Sequence, residues 1–254
     1  GGVTTACAMR SLVACGSDVS AEVPPERWGD DGLAQLEGEV ALRVRHGGFL
    51  RDAAHFDNAR FSVSPAESVA VDPQQRLLLE SSYAALHAAA LDKASLAGTV
   101  SGVFVGIASN DWVDIVKYSP LGRSVYAATG SAVSIAAGRI SFTLGMQGPC
   151  VSYDTACSSV LSANHGAMRA LQLCECERGL VSGVNLMLLP GVGVTFATAG
   201  MTSARGHCHT FDARADGYVR SESVCSAALQ RSGGGESAYL RQREAAPLTH
   251  VAER

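Results

Sequence analysis

Apolar positions at helical spacing first gather after Asp72. Leu79, Tyr83, Leu86 and Ala90 fall on one face of a helix that Asp72 would cap and Pro73 would open. Val103, Phe104, Val105 and Ile107 form a nearly continuous apolar run, the pattern of a strand buried on both faces. Ser131 to Ile140 predicts a further helix. Val151 to Ala156 predicts a short strand, and Cys157, directly after it, opens a helix to about Leu173 with Leu161, Met168 and Leu171 on its apolar face. Leu180 to Leu189 reads as a strand, Gly191 to Gly200 as a helix, and Val224 to Leu229 as a last short strand. Strands and helices therefore alternate, as in a layered α/β fold. Before this pattern, residues 1–60 mix short apolar runs with turn residues, among them Pro24, Pro25 and the pairs Gly29-Asp30 and Gly47-Gly48. After it, Ser232-Gly233-Gly234-Gly235 is a flexible break, and residues 236–254 are polar and weakly periodic, a tail with at most partial helix.

Composition narrows the class. Of 254 residues, 47% are hydrophobic and 17% charged, the balance of a soluble protein with a sizeable core. The net charge of −4 supplies no basic field for nucleic acid, and the 20 Lys and Arg form no run. No apolar stretch reaches the ~20 residues of a membrane span. The N-terminus carries no secretory pattern, and the absence of an initial Met means that residue 1 need not be the natural start. Eight cysteines in a chain this long do not make a disulfide scaffold. They are read as free thiols in a reducing compartment, cytoplasmic or organellar, in a protein that is not secreted.

One cysteine has a chemical setting. In Asp154-Thr155-Ala156-Cys157-Ser158-Ser159, Cys157 falls where a strand hands over to a helix. There the N–H groups and the positive end of the helix dipole favour thiolate over thiol. Small neighbours let a substrate approach, and the Cys157 N–H could help hold an oxyanion. From the residues alone, a nucleophile and a packed structural thiol both remain open.

The same six residues resemble the nucleophile segment of the ketosynthases of type I modular polyketide synthases, members of the β-ketoacyl synthase, thiolase-like family. Further segments match in the family's order. They are Glu22-Val-Pro-Pro-Glu-Arg-Trp28, Gly47-Gly-Phe-Leu50, Phe56-Asp57, Val71-Asp-Pro-Gln-Gln-Arg-Leu-Leu-Leu-Glu80, Gly102-Val-Phe-Val-Gly106, Ala137-Gly-Arg-Ile-Ser141, Gly145-Met-Gln-Gly-Pro149, Gly183-Val-Asn185 and Phe211-Asp-Ala-Arg-Ala-Asp-Gly-Tyr218. A colinear set of this kind is far more specific than a single motif.

The resemblance implies a thiolase-like layered αβαβα fold, of which this chain supplies the N-terminal half and the start of the second. The partial ketosynthase domain is expected over residues 1–231, with the first family strand missing before Gly1 and a divergent flexible tail at 232–254. Cys157 would be the catalytic residue, taking an acyl chain from the phosphopantetheine of an acyl carrier protein. A decarboxylating malonyl-type extender would then attack that thioester to give a β-ketoacyl product, in polyketide or fatty-acid biosynthesis. No directly bound cofactor or metal is implied. A homodimer is, with Thr129-Gly130 near the interface, and neither nucleic acid nor membrane is a partner. The family histidines lie in His-Gly-Thr-Gly-Thr and Asn-x-x-x-Gly-His segments, beside a Lys and a Gly-Phe-Gly-Gly oxyanion loop; none of these occurs in the 254 residues. This departure keeps a second reading open, a non-catalytic ketosynthase-like remnant that binds or dimerises.

Other residues take plainer readings. His165, eight residues past Cys157, would lie ~12 Å away along one helix, out of hydrogen-bond reach. His207 and His209 flank Cys208 in a polar loop outside any matching motif, and His46, His55, His87 and His250 read as surface or partly buried structural residues. Cys174-Glu-Cys176 and His207-Cys-His209 have the wrong spacing for structural zinc. Gly191-Val-Gly193 lacks the third glycine of a dinucleotide loop. Thr155 and Ser159 stand where a hydrolase elbow needs glycines. Asp72, Pro73, Gln74 and Gln75 should start a helix, Arg139 should pair structurally, Asp154 and Thr155 should shape the cysteine turn, and Phe211, Asp212 and Arg214 should order a loop.

Overall fold

A computed structural model describes residues 6–28, 36–231 and 241–244. The chain divides into two compact units. The larger comprises the described residues of Val3–Arg10, Ala53–Asn185 and Val224–Arg254, and the smaller comprises Ser11–Asp52 with Leu186–Ser223, so that the first helix, α1 (Ala6–Ala14), belongs in part to each.

In the larger unit, α3 (Pro65–Ala70) is followed by α4 (Pro73–Ala88), then by the short α5 (Lys93–Leu96) and β3 (Ser101–Gly106). α6 (Asp111–Lys117), α7 (Ala127–Ser131) and α8 (Ile135–Leu144) lead to β4 (Cys150–Tyr153), α9 (Ser159–Gln172) and β5 (Arg178–Asn185). β6 (Ser223–Gln230) and β7 (Arg241–Glu244) complete a five-stranded sheet of order β4-β3-β5-β6-β7. β3 is parallel to both β4 and β5, whereas β7 runs antiparallel to β6. All six residues of β3 are buried, as its continuous apolar run requires.

Alternation along the strands separates two apolar layers. Val103, Val105 and Leu180 face α4 and α8 in one core, with Leu78, Leu86, Ile140 and Leu144. Phe104 and Val181 face α9 in the other, with Ala163, Ala167, Ala170 and Leu171. The unit is thus helix, sheet and helix in three layers.

α4 starts as its sequence dictates. The Asp72 carboxylate accepts the Gln74 N–H at 2.8 Å and Pro73 takes the first helical position. Leu79 and Leu86 are buried, while Ala90 lies past the helix end in the left-handed region, φ 60°. The expected helix over Ser131–Ile140 is instead broken. α7 ends at Ser131 and α8 begins at Ile135, because the buried Gln75 amide donates to the carbonyls of Gly130 and Ala132 and so holds that stretch open. Arg139 closes the arrangement, with Nε on Gln75 Oε1 at 2.7 Å and Nη1 on Glu67 at 2.6 Å.

Three strands differ from expectation. β4 ends at Tyr153 rather than Ala156, where the backbone turns. β5 starts at Arg178 and ends at Asn185, four residues short of Leu189. β6 is not the last strand, since Arg241–Glu244 pairs with it as β7; the rest of the expected tail, with His250, lies outside the described residues.

The smaller unit contains β1 (Ala21–Glu22), α2 (Gly38–Val44), β2 (His46–Gly47) and α10 (Gly191–Thr198), with β1 and β2 antiparallel. Its polar centre is Glu222, whose fully buried carboxylate accepts from Arg27 Nη2 at 2.7 Å, Leu50 N at 2.8 Å and Met187 N at 2.9 Å. Among the described residues no helix is long and apolar enough to cross a membrane.

Candidate active site

The carboxyl ends of three parallel strands stand in one row. Gly106 of β3 is in register with Tyr153 of β4 on one side and Gly183 of β5 on the other. Two glycines in that row leave a shallow place on the sheet, and the start of α9 occupies it. A Cβ on Gly106 would lie 2.6 Å from the Val160 backbone nitrogen, and a Cβ on Gly183 would overlap Val160 Cγ2. The helix therefore begins directly over the strand ends.

The chain enters that helix by a fixed turn. Asp154 Oδ1 accepts the Ala156 N–H at 3.1 Å, and Ala156 lies in the left-handed region at φ 54°. For a non-glycine residue this conformation costs about 1–3 kcal/mol and persists only where its surroundings impose it. Here they do. Ser159 Oγ donates to Ala156 O at 2.7 Å and accepts from Thr155 N at 2.9 Å. Ser158 Oγ donates to Thr155 O at 2.8 Å, and Thr155 Oγ1 lies 3.0 Å from Ser162 Oγ. Ser159 is buried beneath the turn.

Cys157 is the middle residue of this turn, a single 3-10 turn over Ala156–Ser158, and it is exposed. The expected helix from Cys157 thus starts two residues later, at Ser159. Its expected apolar face is also corrected: Leu161 is 73% exposed, and the buried face is Ser159, Ala163, Ala167, Ala170 and Leu171. Small residues face the sheet because the glycine row brings the helix too close for large ones.

The other sulfurs have different settings. Burial pushes the Cys176 thiol above its ordinary range. Desolvation also raises Cys150 and Cys225, although part of each residue touches solvent. Cys174 is exposed, and its Sγ accepts from Arg231 Nη1 at 2.7 Å. Cys15, Cys150, Cys157, Cys174, Cys176, Cys208 and Cys225 are all free thiols.

The histidines near Cys208 are tied elsewhere. His207 Nδ1 lies 2.5 Å from Asp18 Oδ2, and the His207 and His209 ring centroids are 5.9 Å apart. Hydrogen bonds from Ser20, and then from His207, hold Asp18 at about 2. No group of three or more His, Cys, Asp or Glu that could hold a metal occurs among the described residues. Asp212 and Arg214 form a local ion pair at 2.8 Å beside the fully exposed Phe211. The glycine row was not read from the sequence, although Gly106 closes one of the segments singled out and Gly183 opens another. A glycine at or near the carboxyl end of each of two adjacent strands was the available signal.

Residues 1–233 match the family model described as beta-ketoacyl synthase, N-terminal domain. The chain is 40% identical over 239 residues to polyketide synthase GfsB of Streptomyces halstedii, covering 93% of this chain and 4% of that protein. It is 40% identical over 218 residues to a mycocerosic acid synthase-like polyketide synthase of Mycolicibacterium smegmatis, covering 85% of this chain and 10% of that one. Among solved structures, the oxazolomycin ketosynthase domain OzmH KS7 of Streptomyces albus JA3453 superposes with TM-score 0.79 at 31% identity, over 89% of this chain and 40% of that chain. The ketosynthase from module 6 of the Bacillus subtilis 168 bacillaene synthase gives TM-score 0.76 at 27% identity, over 91% and 42%. The chain thus spans a small part of the curated relatives and about two fifths of these ketosynthases. The thiolase-like layered fold expected from the sequence is that of these structures.

Proposed function

This chain belongs to the beta-ketoacyl synthase family, and from that membership we propose that it is a ketosynthase portion in which Cys157 accepts the acyl chain. The observation that carries the proposal is the exposed sulfur at the strand-to-helix turn, held by the left-handed Ala156 above the Gly106–Gly183 row.

In the first half-reaction the Cys157 thiolate attacks the carbonyl of an acyl thioester carried on the phosphopantetheine of an acyl carrier protein. The tetrahedral intermediate collapses with loss of the carrier thiolate, which takes up a proton, and leaves the acyl group on Cys157. In the second, a malonyl-type thioester loses carbon dioxide. Its carbanion equivalent attacks the acyl-Cys157 carbonyl, and Cys157 leaves as thiolate. That step needs groups to stabilise the enolate, and the family segments that hold them are not among these 254 residues. The present residues thus serve the acyl-loading half, and the full cycle proceeds in a homodimer of the complete domain.

Intact-mass measurement after incubation with an acyl-carrier-protein thioester tests the loading step. The proposal expects a single acyl adduct that Cys157→Ala abolishes. An adduct of equal yield on Cys157→Ala would overturn it.

A further inference from the structure

At the opposite ends of the same strands, Ser101 and Arg178 stand in register where β3 and β5 begin. These strand starts, the end of α4 and the end of β6 line a cavity of about 330 Å³. Its walls include Leu86, Leu91, Met146, Leu180 and Ala228. Alternation puts Arg178 on the same sheet face as Leu180, toward α4. Arg178 Nε is buried without a hydrogen-bond partner, and no carboxylate among the described residues pairs with its guanidinium. An unpaired, partly desolvated cation against an apolar wall asks for an anion with an apolar body. The volume falls at the small end of ligand pockets, ~300–1,000 Å³.

The lining chooses the anion. Arg231 also lines the cavity and donates from Nη1 to Cys174 Sγ at 2.7 Å, while Arg178 stands beside the apolar wall with its Nε unpartnered. A carboxylate carried on an aliphatic chain meets both the guanidinium and that wall, whereas a compact inorganic anion would leave the wall unfilled. We propose that this cavity binds a medium-chain aliphatic carboxylate, its carboxylate forked on Arg178 and its chain along Leu86, Leu91, Met146 and Leu180. The site is separate from Cys157, which lies at the carboxyl ends of the strands, and it stands whether or not Cys157 is acylated.

Calorimetric titration of the full chain with sodium octanoate tests this, with 1-octanol and sodium acetate as probes that carry only the chain or only the charge. The expected result is saturable octanoate binding, tighter than either control. It should weaken roughly tenfold or more in Arg178→Gln, the scale of one charged hydrogen-bonded contact. Ala228→Trp, which fills the cavity, should abolish it, and reads the site independently if Arg178→Gln does not fold. Equal octanoate affinity in the wild type and Arg178→Gln, octanol binding as well as octanoate, full affinity in Ala228→Trp, or no saturable binding to the wild type would each overturn the proposal.

Discussion

Gly106 and Gly183 face each other in register on adjacent parallel strands, and both meet the same residue, Val160, in the first turn of the helix after Cys157. The position of the candidate nucleophile is therefore set from below, by the absence of two methyl groups.

Adding one of those methyls should be costly. Gly106→Ala presses Cβ against backbone, which cannot step aside, so a loss of about 1–3 kcal/mol is expected in urea unfolding, with slower acylation of Cys157. Gly183→Ala meets a side chain instead, and Val160→Ala should restore part of its stability. Gly138→Ala on α8, with nothing within 4 Å, is the contrast and should be neutral or up to ~1 kcal/mol stabilising.

Asp72 links stability to pH. Desolvation raises its carboxyl from 3.8 to about 6, against the opposing hydrogen bonds from Gln74. A native carboxyl with a raised pKa binds its proton more tightly folded than unfolded, so its contribution is complete below about pH 3.8 and is lost as pH rises through about 6. At about 1.4 kcal/mol per pH unit of separation, the loss is roughly 3 kcal/mol. Asp72→Asn should abolish this decline, and unfolding curves collected between these pH values would show it. Parallel pH profiles for the two proteins would contradict the assignment.

In the smaller unit, Glu222→Ala leaves the Arg27 guanidinium and two backbone N–H groups without their acceptor. Breaking a buried pair in this way costs about 3–5 kcal/mol. Glu222→Gln keeps an acceptor oxygen and should lose less. A denaturation midpoint unchanged by Glu222→Ala would exclude this role.

The strands and the Asp72–Pro73 helix start were legible in the sequence because each is written locally, as an apolar run or as a cap beside its helix. The turn-shaping role of Asp154 and Thr155 was legible for the same reason, whereas Arg139 was expected to pair but its partners, Gln75 and Glu67, lie 64 and 72 residues away and were not legible. What was misread depends on distant partners. The break between Ser131 and Ile135 is imposed by Gln75, 55 residues before Gly130. The buried face of α9 is carried by Ala163, Ala167 and Ala170, whose small side chains give little periodic signal, so Leu161 and Met168 dominated the pattern. Arg241–Glu244 holds no apolar residue, and only the edge of β6 makes it a strand.

The two half-reactions should separate in the 254-residue chain. Because the family's enolate-stabilising segments are not among its residues, it should release no carbon dioxide from malonyl carrier protein while still taking an acyl group. Trapping of radiolabelled carbon dioxide above the level of Cys157→Ala would contradict this separation.

Peptide-resolved alkylation of all eight thiols with limiting iodoacetamide, before and after exposure to an acyl thioester, tests the assignment of Cys157 as the acyl acceptor. Cys174, beside Arg231, is the internal competitor, while Cys150, Cys176 and Cys225 are held back by desolvation. The expected result is fastest labelling at Cys157 and its selective protection once the acyl group is loaded. Uniform labelling of the eight thiols, or protection that falls on Cys174 instead, would contradict the account.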